Sequence, residues 1–161
     1  MSEGVPKFVM SHSMGGLISL EYFSNSNYPK NPGMKISDIK GLIATSPFLA
    51  PADKIPWIKL QLCKILGRCV PWLTLPSDLT ADQLTSCSQK QKEQNEDIVI
   101  FRHATLGFGY HAMLAQARAI ENLASSPFPL PFFMMFSLQD MVCDPEVNEH
   151  TASKIYSFVK F

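Results

Sequence analysis

The sequence predicts an α/β fold, a parallel sheet with flanking helices and an inserted helical segment, and three stretches carry that prediction. The apolar run Phe8-Val9-Met10 leads into Ser11-His12-Ser13-Met14-Gly15-Gly16 and then into a helix-like run from Leu17 to Phe23. Ile39 to Thr45 is largely apolar, the composition of a parallel strand covered on both faces. Phe132 to Phe136 is wholly apolar and bounded by breakers, which marks a third buried strand. Strands are therefore expected near residues 7–10, 39–45 and 131–136.

Between them the helices follow in order. From Gly16 to about Asn25, apolar Leu17, Ile18, Leu20, Tyr22 and Phe23 go nearly all the way round, so this helix should be buried on most sides. Ser24 to Gly33 is rich in Asn, Pro, Ser and Gly and reads as a loop. Within Ile55 to Val70, Ile58, Leu62, Ile65, Leu66 and Cys69 recur at helical spacing, with Trp57 and Leu60 widening the arc. Pro71 to Pro76 breaks that helix, and the polar stretch Ser77 to Asp97 reads as a solvated loop or short helix. Ala112 to Leu123 is helical again, and Asp144-Pro145 is an N-cap with proline at the first position of a helix expected over Glu146 to Val159.

Composition narrows the function classes. Hydrophobic residues make up 46% and charged residues 17%, with a net charge of zero and no basic block, so nucleic acid is an unfavoured partner. Cys63, Cys69, Cys87 and Cys143 form no C-x-x-C pair, which points to reduced thiols in an intracellular compartment. Met1 to Lys7 is polar and runs straight into the first strand, unlike a signal peptide, and no apolar run reaches transmembrane length.

The chemistry concentrates at Ser13. Strand, tight turn and helix with a serine at the apex is the layout of the G-x-S-x-G nucleophile elbow, where a strained backbone lifts the serine Oγ above the sheet. Small residues two before and two after the serine let strand and helix pass closely. Gly15 fills the trailing position and Ser11 stands where the leading glycine is usual. The plainer alternative is that Ser13 only caps a helix.

Ser11-His12-Ser13-Met14-Gly15-Gly16 resembles the G-H-S-M-G-G elbow of the monoacylglycerol lipase and lysophospholipase (serine aminopeptidase-like) branch of the α/β-hydrolases. The resemblance implies a partial α/β-hydrolase fold in one domain, with a core of residues 1–48 and 127–161 and a helical cap at about 49–126. It makes Ser13 the nucleophile and Asp140, in Ser137-Leu138-Gln139-Asp140 where the family has G-x-x-D, the triad acid. The backbone N–H of Met14 becomes one oxyanion donor. The cap of that family covers an acyl-binding pocket, so Trp57, Ile58 and Leu62 become candidate substrate-binding residues. Their helix face has two other uses, against the core or on a membrane with Lys59, Lys64 and Arg68 near the head groups.

The third member of the triad is missing. The family's base follows the acid by roughly 30 residues in the order Ser, acid, His, but His150 falls inside a helix. His12 should diverge from Ser13, and His103 and His111 lie in the cap. The elbow also lies at the start of the chain rather than after five strands, so the resemblance implies a piece of a longer enzyme, inactive and aggregation-prone by itself. The implied activity of the complete enzyme is hydrolysis of a monoacylglycerol or lysophospholipid ester, without metal or organic cofactor. The implied setting is cytoplasmic, peripheral to membranes or lipid droplets. The rival readings are a peptidase or other acyl hydrolase on the same scaffold, and a catalytically dead lipid- or protein-binding domain.

Overall fold

A computed structural model describes residues 5–25, 38–77 and 79–155. A three-stranded parallel sheet in the order β1-β2-β5 is built from β1 (Lys7–His12), β2 (Ile39–Thr45) and β5 (Phe132–Met135). Helix α1 (Met14–Ser24) follows β1 without an intervening loop. Between β2 and β5 lie α2 (Trp57–Cys69), β3 (Thr74–Pro76), α3 (Ala81–Leu84), α4 (Ser88–Glu96), β4 (His103–Thr105) and α5 (Leu106–Ser125). Helix α6 (Pro145–Lys154) comes last and ends short of the expected Val159, with Ile155 as its C-cap in extended backbone; residues 156–159, like most of the Ser24–Gly33 loop, lie outside the described residues. No helix among the described residues is long and apolar enough to cross a membrane.

The sheet is one-sided. Residues paired across a parallel ladder share a face. Val9, Leu42 and Phe132 are in register, as are Ser11, Ala44 and Met134. That face packs on Leu17, Leu20 and Phe23 of α1, Ala119 and Leu123 of α5, and Ala152 of α6. Glu21 of α1, buried, pairs with Arg118 of α5 and ties these two helices together. The opposite face presents Phe8 and Met10 of β1 and Phe133 and Met135 of β5 to solvent. This corrects the expectation that β5 is buried throughout: an apolar run signals a strand, but whether both faces are covered depends on what lies over them. Ile18 is likewise exposed on a helix expected to be buried on most sides.

Helix α2 turns its apolar arc outward, one of the orientations the sequence left open. The helix forms where the periodicity places it, yet Trp57, Ile58, Leu62, Ile65 and Leu66 are exposed, Trp57 to 71%. The contact with α5 is made by the other side, where a Cβ at Gly67 would stand 2.6 Å from the Cβ of Tyr110 and 2.9 Å from the carbonyl oxygen of Leu106. Only a glycine permits that approach, and it turns the apolar arc outward rather than onto the core.

The polar stretch after β3 is more ordered than expected. Thr80 and Gln83 form a reciprocal capping box at the start of α3, and Arg102 bonds the last carbonyls of α4. Strands β3 and β4 pair antiparallel, each too short to show alternation in the sequence.

Candidate active site

Ser13 sits between β1 and α1 with φ 50° and ψ −117°, a region that non-glycine residues rarely occupy. Its side chain makes no capping bond to α1. A serine recruited as an N-cap would hold extended backbone and accept a helix N–H; Ser13 does neither. Its Oγ instead faces the loop after β5, where the Sγ of Cys143 lies 3.9 Å away.

That loop holds Asp140. The N–H of Asp140 donates to the carbonyl of Ser137 at 3.3 Å, and the N–H of Gln139 donates to the Ser137 Oγ at 3.1 Å, so serine serves as the turn residue where the family uses glycine. Asp140 Oδ1 accepts from the N–H groups of Val142 and Cys143, both at 2.9 Å. Its Oδ2 makes no hydrogen bond among the described residues. Two bonds on one oxygen fix the carboxylate plane and leave the second oxygen to receive an imidazole N–H. The loop is held to residues after β2: Ala52 N–H donates to the Val142 carbonyl at 3.0 Å, and Asp144 N–H to the Ala50 carbonyl at 2.9 Å. Asp144 is the N-cap of α6, accepting from Glu146 and Val147, as the sequence indicates.

Cys143 is the neighbour that the sequence did not reveal. It is buried between the acid turn and Ser13, and burial first, then the Asp140 charge, pushes its thiol up to about 11, against a small opposing effect of the Ser13 contact. At neutral pH it is a thiol, a weak hydrogen-bond partner rather than a nucleophile.

The four histidines are dispersed and exposed. His12 turns away from Ser13 to Thr45, its Nδ1 3.1 Å from the carbonyl oxygen and 2.9 Å from Oγ1. His103 lies on β4, His111 stacks edge-on against Tyr110, and His150 lies on α6. None bonds Ser13 or Asp140 among the described residues. Met14 is the first residue of α1, so its N–H has no acceptor within the helix and stands at the positive end of the helix dipole. Trp57, Ile58 and Leu62 are on the exposed face of α2 and do not line the groove of about 790 Å³ between α2 and α5. Among the described residues no group of three or more His, Cys, Asp or Glu side chains is placed to hold a metal ion.

A parallel sheet, a strained serine between a strand and a helix, and an aspartate turn beside it define the architecture of an α/β-hydrolase. The sequence profile of the serine aminopeptidase S33 family matches residues 1–160, and the chain belongs to that family. The structure superposes on a monoacylglycerol lipase of Paleococcus ferrophilus with a TM-score of 0.79 and 24% identity, covering 95% of this chain and 55% of that one. It superposes on a soluble variant of the Saccharomyces cerevisiae monoglyceride lipase, bound to a substrate analogue, with a TM-score of 0.77 and 20% identity, covering 96% of this chain and 51% of that one. An uncharacterized abhydrolase domain-containing protein of Dictyostelium discoideum is 26% identical over 155 residues, 96% of this chain and 16% of that protein. The chain thus spans about half the length of the two lipases and a smaller share of the Dictyostelium protein.

Proposed function

We propose that this chain carries the nucleophile and the acid of a serine hydrolase that cleaves the carboxylic ester of a monoacylglycerol or lysophospholipid. Ser13 Oγ attacks the acyl carbonyl while a histidine takes its proton. The Met14 N–H receives the developing oxyanion, and Asp140 Oδ2 orients the imidazole. The ester C–O bond then breaks, the histidine returns the proton to the departing alcohol, and water releases the acid from Ser13 by the reverse sequence. The observation that carries this reading is the φ of 50° at Ser13 without a helix-capping bond: strain at the half-buried apex of a turn is retained where it positions a reacting group. This reading needs a histidine other than the four described, which are all directed elsewhere, and a second oxyanion donor beside Met14. On this reading the 161-residue chain by itself should show no measurable turnover, because a serine without a base in reach is a weak nucleophile.

An acyl substrate is supported by the largely apolar groove between α2 and α5, where Leu60, Ile65, Met113, Leu114 and Ala117 line the walls together with the basic Lys64 and Arg68. The outward face of α2, with Trp57, Ile58 and Leu62, is suited to meet the lipid aggregate from which such a substrate comes. Lys64 and Arg68 lie on the same helix, which has no acidic residue.

The family's aminopeptidase description favours one second reading, a peptidase using the same Ser13 and Asp140. Competing substrates at equal concentration separate the two. The full-length protein should cleave a long-chain monoacylglycerol faster than an aminoacyl arylamide, and the opposite order moves the reading to a peptidase.

A further inference from the structure

Ser13 has a strained companion. Ser46, at φ 40°, is the other non-glycine residue with positive φ among the described residues, and it begins the turn at the carboxyl end of the neighbouring strand β2. That turn grips Ser13 from both sides. The Ser13 N–H donates to the Thr45 carbonyl at 3.0 Å, and the Phe48 N–H donates to the Ser13 carbonyl at 3.0 Å. Ser46 N–H donates to the Met135 carbonyl at 2.7 Å, which fastens the turn to β5. Pro47 lies so close to the first turn of α1 that a Cβ on Gly16 would stand 2.8 Å from the Pro47 Cβ.

The bond from Phe48 has a geometric consequence. The peptide between Ser13 and Met14 is trans and planar, so its carbonyl and its N–H point in opposite directions. Holding the Ser13 carbonyl therefore sets where the Met14 N–H points. Within α1 that carbonyl accepts only the Leu17 N–H, at 3.2 Å, a first-turn bond at a helix end. Phe48 adds a second donor from outside the helix. At the other side of Ser13, the Thr45 carbonyl accepts both the Ser13 N–H and His12 Nδ1. Thr45 Oγ1 donates to the Ser11 carbonyl, so the ring nitrogen between these two oxygens is the one bearing hydrogen.

We propose that the turn from Thr45 to Phe48 aims the oxyanion donor: the Phe48 N–H holds the Ser13 carbonyl so that the Met14 N–H faces the acyl oxygen, and His12 is a positioning residue that steadies the Thr45 end. This rests on the serine-hydrolase reading and deepens it. A positioning role of this kind acts on the transition state, where the oxygen carries charge, and leaves ground-state binding unchanged.

The test uses the full-length protein, a monoacylglycerol substrate, a non-reactive ether analogue of it and an alkyl trifluoromethyl ketone that forms the tetrahedral adduct. Wild-type turnover that is lost in Ser13→Ala establishes the underlying reading, and its absence overturns both. Given that turnover, His12→Ala should lower kcat about tenfold with KM within about twofold, and weaken the ketone in step while the ether analogue binds as before; His12→Asn, whose amide replaces Nδ1–H, should restore most of the loss. Phe48→Pro removes the N–H and should show the same signature at about 10²-fold, near the effect of deleting an oxyanion donor. If Phe48→Pro does not fold, the His12 pair decides. Wild-type kcat in His12→Ala, an equal loss for ketone and ether analogues, or no rescue by asparagine overturns the proposal.

Discussion

The Sγ of Cys143 lies 3.9 Å from the Oγ of Ser13, while the backbone N–H of the same cysteine bonds Asp140 Oδ1 at 2.9 Å. One residue therefore touches both chemical groups of the site. Its burial fills the space beside the serine with a small neutral side chain, and its backbone helps fix the carboxylate plane. The acid turn and the elbow are thus packed on each other, although 130 residues separate Ser13 from Cys143.

The two aspartates of this loop should separate by substitution. In Asp140→Asn the remaining oxygen still accepts the Val142 and Cys143 N–H groups, so the turn survives, but an amide replaces the free oxygen and holds the imidazole in the wrong tautomer. By the triad template, kcat of the full-length protein should fall by about 10⁴ with little change in melting temperature. Asp144→Ala removes an N-cap and should lower stability by about 1 kcal/mol with kcat retained. A loss of kcat confined to the Asp144 variant would show that the acid had been assigned to the wrong residue.

Cys143 should resist alkylation. Iodoacetamide at pH 8 should modify the exposed Cys69 and Cys87 well before Cys143, read by peptide mass spectrometry. The raised thiol also has a stability consequence. Between 9.0 and about 11 the folded chain keeps a proton that the unfolded chain releases, so the contribution is full below pH 9.0 and disappears as pH rises through about 11. The unfolding free energy of the wild type should therefore fall more steeply over that interval than that of Cys143→Ala. Parallel curves would contradict this.

Much of the site can be read locally, because its chemistry imposes local demands. A serine between an apolar run and Gly15-Gly16 announces the elbow, and Asp140 stands at a fixed distance past an apolar strand. Asp144-Pro145 declares a helix start by its cap chemistry alone. Cys143 carries no such mark: its place beside Ser13 comes from the bonding of residues 50–52 to residues 142–144, which no spacing encodes. The outward turn of α2 was hidden because a periodic pattern shows that a helix has an apolar face, not which way it points. Gly67 was the available sign of close contact on the other side. The capping box at Thr80 and Gln83 was also legible, and the polar composition around it masked the helices.

The outward face of α2 should be dispensable for folding. Ile58→Ser with Leu62→Ser should leave the melting temperature of the full-length protein unchanged, because both side chains are already exposed. Binding to vesicles containing anionic lipid should weaken measurably. A melting temperature several degrees lower would mean that this face is covered by protein rather than lipid.

The open face of the sheet should govern the behaviour of the 161-residue chain alone. Phe8 at 62% exposure and Met10 at 71% share a face with Phe133 and Met135, and among the described residues neither β1 nor β5 has a second neighbour in this sheet. Exposed apolar edge strands are templates for aggregation. The isolated chain should be poorly soluble or bind a hydrophobic dye, and charged substitutions at Phe8 and Met10 should raise its solubility. A soluble monomer with sharp, cooperative thermal unfolding would contradict this.

The most direct test of the central claim is to treat the full-length protein with a fluorophosphonate probe and locate the adduct by peptide mass spectrometry. The phosphonyl group should be found on Ser13, and Ser13→Ala should abolish labelling together with ester hydrolysis. Labelling that persists in Ser13→Ala, or an adduct on any other serine, would mean that the strained residue between β1 and α1 is not the nucleophile.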